Sequence, residues 1–167
     1  MLNEEIYMCA ILYVKTLVEA YEKECISMCG SSPIRLIDYR IKSKESIAKK
    51  LEKKGYCVSD KNAKEQLNDL AGIRVVCVSV EQVYRLQNFL EKQTGIEIIK
   101  EKDYIRFPKE NGYQSLHLIA EMRDSVMRRK CRWREADSER IRIEVQIRTE
   151  EMHRWAQRDH KLFYKNG

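Results

Sequence analysis

Proline is almost absent from this 167-residue chain, at two residues, and glycine is sparse at six. That scarcity excludes collagen-like, proline-rich and low-complexity organisation and leaves no stretch that reads as a linker. One domain over residues 1–167 is expected, with an N-terminal helix within 1–30 and a core over 34–165. No C-x-x-C pair occurs among the cysteines at 9, 25, 29, 57, 77 and 131. Zinc-ribbon spacing is thereby missing, the scatter argues against a disulfide framework, and reduced thiols are expected. No apolar run approaches the roughly 20 residues needed to span a bilayer. The first five residues carry no basic leader region. A cytoplasmic protein without a membrane partner is the expectation.

What the chain does have is charge. Asp, Glu, Lys and Arg make up 35% of it, with a net charge of +6, beside 43% hydrophobic residues. That balance describes a globular domain whose surface suits an anionic partner such as nucleotide phosphate, or is simply well solvated.

Apolar positions Ile6, Ala10, Tyr13, Val14, Leu17 and Tyr21 recur at helical spacing over 4–28. Gly30 to Pro33 ends that helix, and 34–41 reads as a strand. Ser43 is placed to cap a helix running to Gly55, and 61–70 reads as a short helix with Leu67 and Leu70 inward. The run IRVVCVSV at 73–80 is the strongest strand signal, apolar enough to be buried on both faces. A helix over 81–93, strands over 96–105, 115–122 and 142–148, and a last helix over 150–164 complete the pattern. The basic segment 123–140 holds Arg128, Arg129, Lys130, Arg132 and Arg134 around Trp133. It reads as a long solvated connection between strands; contact with RNA or an acidic partner is the alternative. The order predicts an α/β (α+β) fold, a mixed sheet of five strands flanked by helices.

Four clusters carry candidate chemistry. Arg40, Lys42, Ser46 and Lys50 span a strand end and the first turns of a helix, which suits an anion. Asp69 stands just ahead of the buried strand that contains Arg74, where its carboxylate can reach a hard cation. Lys102, Lys109, Asn111, Tyr113 and His117 gather on one loop; a tyrosine after Asn-Gly can stack on a base while its neighbours meet polar edges and phosphates. Glu144, Gln146 and Arg148 share one face of the last strand by its period of two. Solvated surface or ordinary core packing would explain each cluster singly.

Taken together, KDYIRFPKENGYQSLH, EVQIRT and WAQRDHKLFYK resemble the synthetase domain of the RelA/SpoT-type (p)ppGpp synthetases over residues 34–165. The short chain points to the small alarmone synthetases. The resemblance implies a nucleotidyltransferase-like fold, with Mg²⁺ as cofactor. It implies transfer of the β,γ-pyrophosphate of ATP to the 3′-hydroxyl of GDP or GTP. Arg40 and Arg74 would then flank adenine, and Lys42, Ser46 and Lys50 would hold the ATP phosphates. Asp69 and Glu144 would be the catalytic, metal-binding carboxylates, supported by Gln146 and Arg148. Tyr113 would stack on guanine, with Lys102, Lys109, Asn111 and His117 around the acceptor. Toxin-type relatives that modify the tRNA 3′ end or adenosine nucleotides supply the alternative acceptor, and a non-catalytic nucleotide sensor is the alternative class. None of His117, His153 and His160 is followed by Asp, so a His-Asp hydrolase is not expected. Small synthetases often form homotetramers through C-terminal helices beyond the point where this chain stops.

Overall fold

A computed structural model describes the backbone of residues 2–132 and 140–165, and the side chains of 2–132 and 140–159. Its elements run α1 (Glu4–Cys29), β1 (Ile34–Ile41), α2 (Lys44–Lys53), α3 (Asp60–Gln66), β2 (Ala71–Cys77), α4 (Val80–Glu91), β3 (Ile96–Asp103), β4 (Leu116–Met122), α5 (Asp124–Lys130), β5 (Arg142–Thr149) and α6 (Glu150–Lys165). The five strands form one mixed sheet in the order β1-β2-β5-β4-β3. Only β2 and β5 are parallel; β1/β2, β4/β5 and β3/β4 are antiparallel. The predicted class and five-stranded mixed sheet are therefore the observed ones.

The sheet has one dry face and one polar face, and alternation along each strand decides which side chain goes where. Ile73, Val145 and Leu118 are in register across β2, β5 and β4 and are all buried. α1 packs over this side with Ala10, Ile11, Val14 and Val18, and α4 adds Val83, Leu86 and Leu90. The α1 stripe is rotated from the expected one: Ile6, Tyr13 and Leu17 flank it, half-buried, while Tyr7, Ile11 and Val18 lie at its centre.

Serine caps start three helices. The side chains of Ser43, Ser59 and Ser79 accept the backbone N–H of Ser46, Asn62 and Gln82, each satisfying a donor the helix cannot. α3 stops at Gln66, short of the expected 61–70, because Leu67 turns to an extended conformation ahead of Asn68 and Asp69. Leu67 and Leu70 are nonetheless buried as expected.

Two expectations need correction. The segment 123–140 is not wholly a solvated connection: α5 forms within it, and its Val126 and Met127 are buried in the core. Trp133 and Arg134 lie outside the described residues. Arg128, Arg129 and Lys130 occupy the last turn of α5, where cations complement the helix dipole. Cys9 and Cys131 are joined in a disulfide, 122 residues apart in sequence. It ties α1 to the end of α5, so the expectation of thiols throughout fails at this pair. Cys25, Cys29, Cys57 and Cys77 are free. Among the described residues no helix is long and apolar enough to cross a membrane.

Candidate active site

The polar face is built from one residue row per strand. Arg40 opposes Gly72, and Asp38 opposes Arg74. Gly72 opposes Glu144, and Arg74 opposes Gln146. Gln146 in turn opposes His117, and Lys102 opposes His117 from β3. Registered neighbours point to the same side, so residues from five separate strands meet on one surface.

β3 reaches this arrangement only through an irregularity. Ile98 pairs with Ala120 on the core side, but Lys100 pairs with Ile119 and Lys102 with His117. The register shift between Ile98 and Lys100 turns the second half of the strand over. Lys100 and Lys102 thereby join the polar face, while Glu101 accepts from Gln87 of α4 at 2.8 Å behind it.

A cleft of about 350 Å³ opens on this face, lined among others by Lys50, Asp69, Lys102, Lys109, His117 and Glu144. Six of the residues singled out from the sequence thus share one cavity. Lys42 joins them through Asp69, whose Oδ2 accepts from Lys42 Nζ at 2.9 Å and Lys50 Nζ at 2.5 Å. Burial pushes the Asp69 carboxyl upward, but the hydrogen bonds from Lys50 and Lys42 outweigh it and hold the group below its ordinary value. The loop bearing Asp69 is fixed on three sides. Leu67 and Leu70 sink into the core, Lys42 N–H donates to Leu70 O at 2.8 Å, and Arg142 Nη1 of β5 donates to Asn68 Oδ1 at 2.6 Å. The last contact couples the Asp69 loop to the strand that carries Glu144.

Glu144 is oriented by its neighbours. Gln146 Nε2 donates to Glu144 Oε1 at 2.6 Å, and Gln146 Oε1 accepts from Arg74 Nε at 3.3 Å. Since an amide presents its donor and acceptor on opposite sides, Arg74 fixes which way Gln146 faces. Arg74 also lies 4.0 Å from Asp38.

At the far side of the cleft, Tyr113 Oη lies 2.9 Å from His117 Nε2. Lys109 Nζ stands 4.8 Å from the Tyr104 ring centroid and 5.1 Å from that of Tyr113, within cation–π range. Burial lowers the His117 pKa to about 4, reinforced by Lys109, Arg148, Lys102 and Arg74. The ring is neutral at pH 7. Gly112, at φ +88°, closes the turn before Tyr113 by donating to Lys109 O at 2.8 Å, a conformation suited to glycine.

Eight residues read from the sequence are not in the cleft lining: Lys42, Tyr113 and Gln146 bond to residues that are, Arg74 bonds to Gln146, and Arg148, Arg40, Ser46 and Asn111 stand further off. Arg40 is exposed on the edge strand, diagonal to Arg74 on the same face. Ser46 is exposed and bonded to Ser43 through both backbone N–H and hydroxyl. Asn111 Oδ1 accepts Tyr113 N–H at 3.1 Å, a local turn contact. Sequence reasoning missed Lys54, Lys100 and Tyr104, all of which line the cleft. The first two had a signal: Lys54 follows Lys50 by four on a helix end, and Lys100 precedes Lys102 by two on a strand. A larger depression of about 690 Å³ beside the start of α6 holds none of the predicted residues. Its wall mixes Glu150 and Glu151 with Arg154 and Arg158, and neither Asp69 nor Glu144 lines it.

The donor set fits a hard divalent cation. Asp69 Oδ1 is buried with no hydrogen-bond partner, which calls for a ligand. Glu144 lines the same cleft. Among the described residues no three His, Cys, Asp or Glu converge as a metal cage. Mg²⁺ matches that arrangement, as it commonly takes one or two carboxylates and completes its shell with water and phosphate oxygens.

Comparison with known proteins identifies the family. The family model described as "Region found in RelA / SpoT proteins" matches residues 39–167. GTP pyrophosphokinase YwaC of Bacillus subtilis is 41% identical over 136 residues, covering 81% of this chain and 61% of that protein. GTP pyrophosphokinase YjbM of the same organism is 29% identical over 134 residues, covering 80% of this chain and 58% of that protein. The chain thus spans about three fifths of these two relatives. Among solved structures, small alarmone synthetase 2 of B. subtilis superposes with a TM-score of 0.79 at 37% identity, over 98% of this chain and 80% of that one. Small alarmone synthetase 1, bound to its product pppGpp, superposes with a TM-score of 0.80 at 26% identity, over 95% of this chain and 76% of that one. With the five-strand polar face, the paired carboxylates and these matches in agreement, the chain belongs to the RelA/SpoT family, among its small alarmone synthetases.

Proposed function

We propose that the protein transfers the β,γ-pyrophosphate of ATP to the 3′-hydroxyl of GDP or GTP, giving ppGpp or pppGpp and AMP, as in the stringent response. The observation that carries this reading is the convergence of Asp69 and Glu144 on one lysine-lined cleft. Family membership supports the same chemistry.

The cleft's own residues can be given tasks. Lys42 and Lys50 hold Asp69 in its charged form and offer cations to the ATP phosphates. Arg74, beside Arg40 on the same face, is the candidate to flank adenine. On the opposite side Tyr113, Lys109, Lys102, Asn111 and His117 receive the acceptor nucleotide, with Tyr113 as the stacking platform. Between them Glu144, turned by Gln146, is placed to take the proton from the 3′-hydroxyl as it attacks the β-phosphorus and AMP departs. Mg²⁺, held by Asp69 and Glu144, would neutralise phosphate charge and acidify the attacking hydroxyl. Most of the rate enhancement in such transfers comes from positioning and charge stabilisation.

The test is product analysis. Purified protein with ATP and Mg²⁺ is offered GDP, GTP, GMP, adenosine nucleotides and tRNA together. A 3′-pyrophosphorylated guanosine nucleotide with one AMP per product is expected. Label appearing only in tRNA or in adenosine nucleotides would replace the acceptor, and no transfer from folded protein would end the reading.

A further inference from the structure

Beyond its register shift, β3 presents Glu101 and Asp103 to α4, while Lys102 between them lines the cleft. Tyr84 and Gln87, three residues apart on one face of α4, meet the two carboxylates from behind the sheet. Gln87 Nε2 donates to Glu101 Oε2 at 2.8 Å, and the Tyr84 hydroxyl donates to Asp103 Oδ2 at 2.8 Å. Burial, and then the bond to Asp103, push the Tyr84 phenol up to about 12, so it remains a donor at neutral pH.

Asp103 is the last residue of β3, and it also shapes the chain that follows. Its Oδ1 accepts the N–H of Ile105 at 3.0 Å and that of Arg106 at 2.9 Å, and its carbonyl accepts Phe107 N–H at 3.0 Å. One carboxylate thus builds the first turn of the loop 104–115 with one oxygen and is held by α4 through the other. The next residue belongs to the cleft. Tyr104 N–H donates to Ser115 O at 2.9 Å, closing the base of the loop, and the Tyr104 side chain lines the cavity. Its ring stands edge to face with His117, centroids 5.3 Å apart, and with Tyr113, 6.1 Å apart. Lys109 Nζ lies over both tyrosine rings. Gln114 Nε2 donates to Ile105 O at 3.2 Å, which ties the end of the loop back to the turn that Asp103 makes.

We propose that Tyr84 is a positioning residue: from the sealed side of the sheet it fixes the Asp103 carboxylate, and through the turn built on that carboxylate it sets the wall of Tyr104, Lys109 and Tyr113. Its consequence for turnover rests on the reading of that wall as the acceptor side. The anchoring itself does not.

Amide hydrogen exchange of the free, full-length protein tests the anchor without any substrate. The Ile105 and Arg106 amides should be protected in the wild type. Tyr84→Phe removes one hydroxyl and keeps the ring. Both amides should then exchange about fivefold to tenfold faster, the strength of one hydrogen bond, while Val83 and Leu86 of α4 stay within about twofold of wild type. Asp103→Ala should speed the same two amides at least as much. Adding Tyr84→Phe to it should change nothing more, as a contact acting only through Asp103 requires. Unprotected Ile105 and Arg106 amides in the wild type overturn the proposal even where a variant fails to fold. So do unchanged exchange in Tyr84→Phe, additive effects in the double variant, or equal loosening of Val83 and Leu86. In turnover, Tyr84→Phe should raise the acceptor KM about fivefold with the ATP KM unchanged. Equal loss toward both substrates would reduce Tyr84 to a structural role. Absence of wild-type transfer would count against the functional reading alone.

Discussion

Asp69 and Glu144 are held in different ways, and the difference suggests different work. Asp69 keeps one oxygen on two lysines and leaves the other buried and unpartnered. Glu144 receives a single amide donor that is itself set by Arg74. Glu144→Gln should therefore preserve ATP binding, measured by calorimetry, while kcat falls about 10²–10³-fold, the usual cost of removing one charge stabiliser. A fall shared equally by binding would place Glu144 in the fold instead. His117 makes a second prediction at this scale. Its folded pKa of about 4 lies below the ordinary value of 6.5, so between those values the unfolded chain binds a proton that the folded chain refuses. Stability is unaffected above pH 6.5 and should decline as pH falls from there toward 4. His153, also lowered by burial, adds in the same direction. Asp69, held below 3.8, contributes loss only at still lower pH. Urea midpoints measured from pH 7 to 4.5 should fall less steeply in His117→Gln than in wild type.

At the scale of elements, the site depends on how strands and loops are aimed. The irregularity in β3 sends Lys100 and Lys102 to the polar face while Ile96 and Ile98 remain with the core side. The turn before β3 is as constrained. A Cβ on Gly95 would run into the Tyr13 ring of α1 and come within 2.8 Å of a Val126 methyl of α5. Gly95 O also accepts Arg123 N–H at 3.0 Å, so the backbone has little room to retreat. Gly95→Ala should destabilise the fold by about 1–3 kcal/mol, the range for overpacked cores. The urea midpoint reports it, and an unchanged midpoint would mean α1 or α5 gives way freely.

The sheet is two-sided: α1 and α4 seal one face, and the candidate site occupies the other. The Cys9–Cys131 disulfide belongs to the sealed side, joining α1 to α5. In the chain-entropy account a loop of this length stabilises by about 5 kcal/mol. Reduction, or Cys9→Ser, should lower the unfolding temperature markedly. Turnover per folded molecule should stay near wild type, because the cleft lies across the sheet. An unfolding temperature indifferent to reductant would show that the two sulfurs are not bonded in solution.

Much of this was present in the chain before folding. The apolar run at 73–80, which is strand only as far as Cys77 before Ser79 caps α4, the alternation of Glu144, Gln146 and Arg148, the serine cap at Ser43 and the Tyr113 loop are local patterns. They were enough to give the mixed sheet and six of the residues that line the cleft. What they could not specify were facts that depend on which distant segments meet. The turn-over of β3, the rotation of the α1 stripe, and α5 with its bond from Cys131 to Cys9 are of this kind. Local sequence fixes the direction of a side chain relative to its own backbone; only tertiary packing decides what stands opposite it.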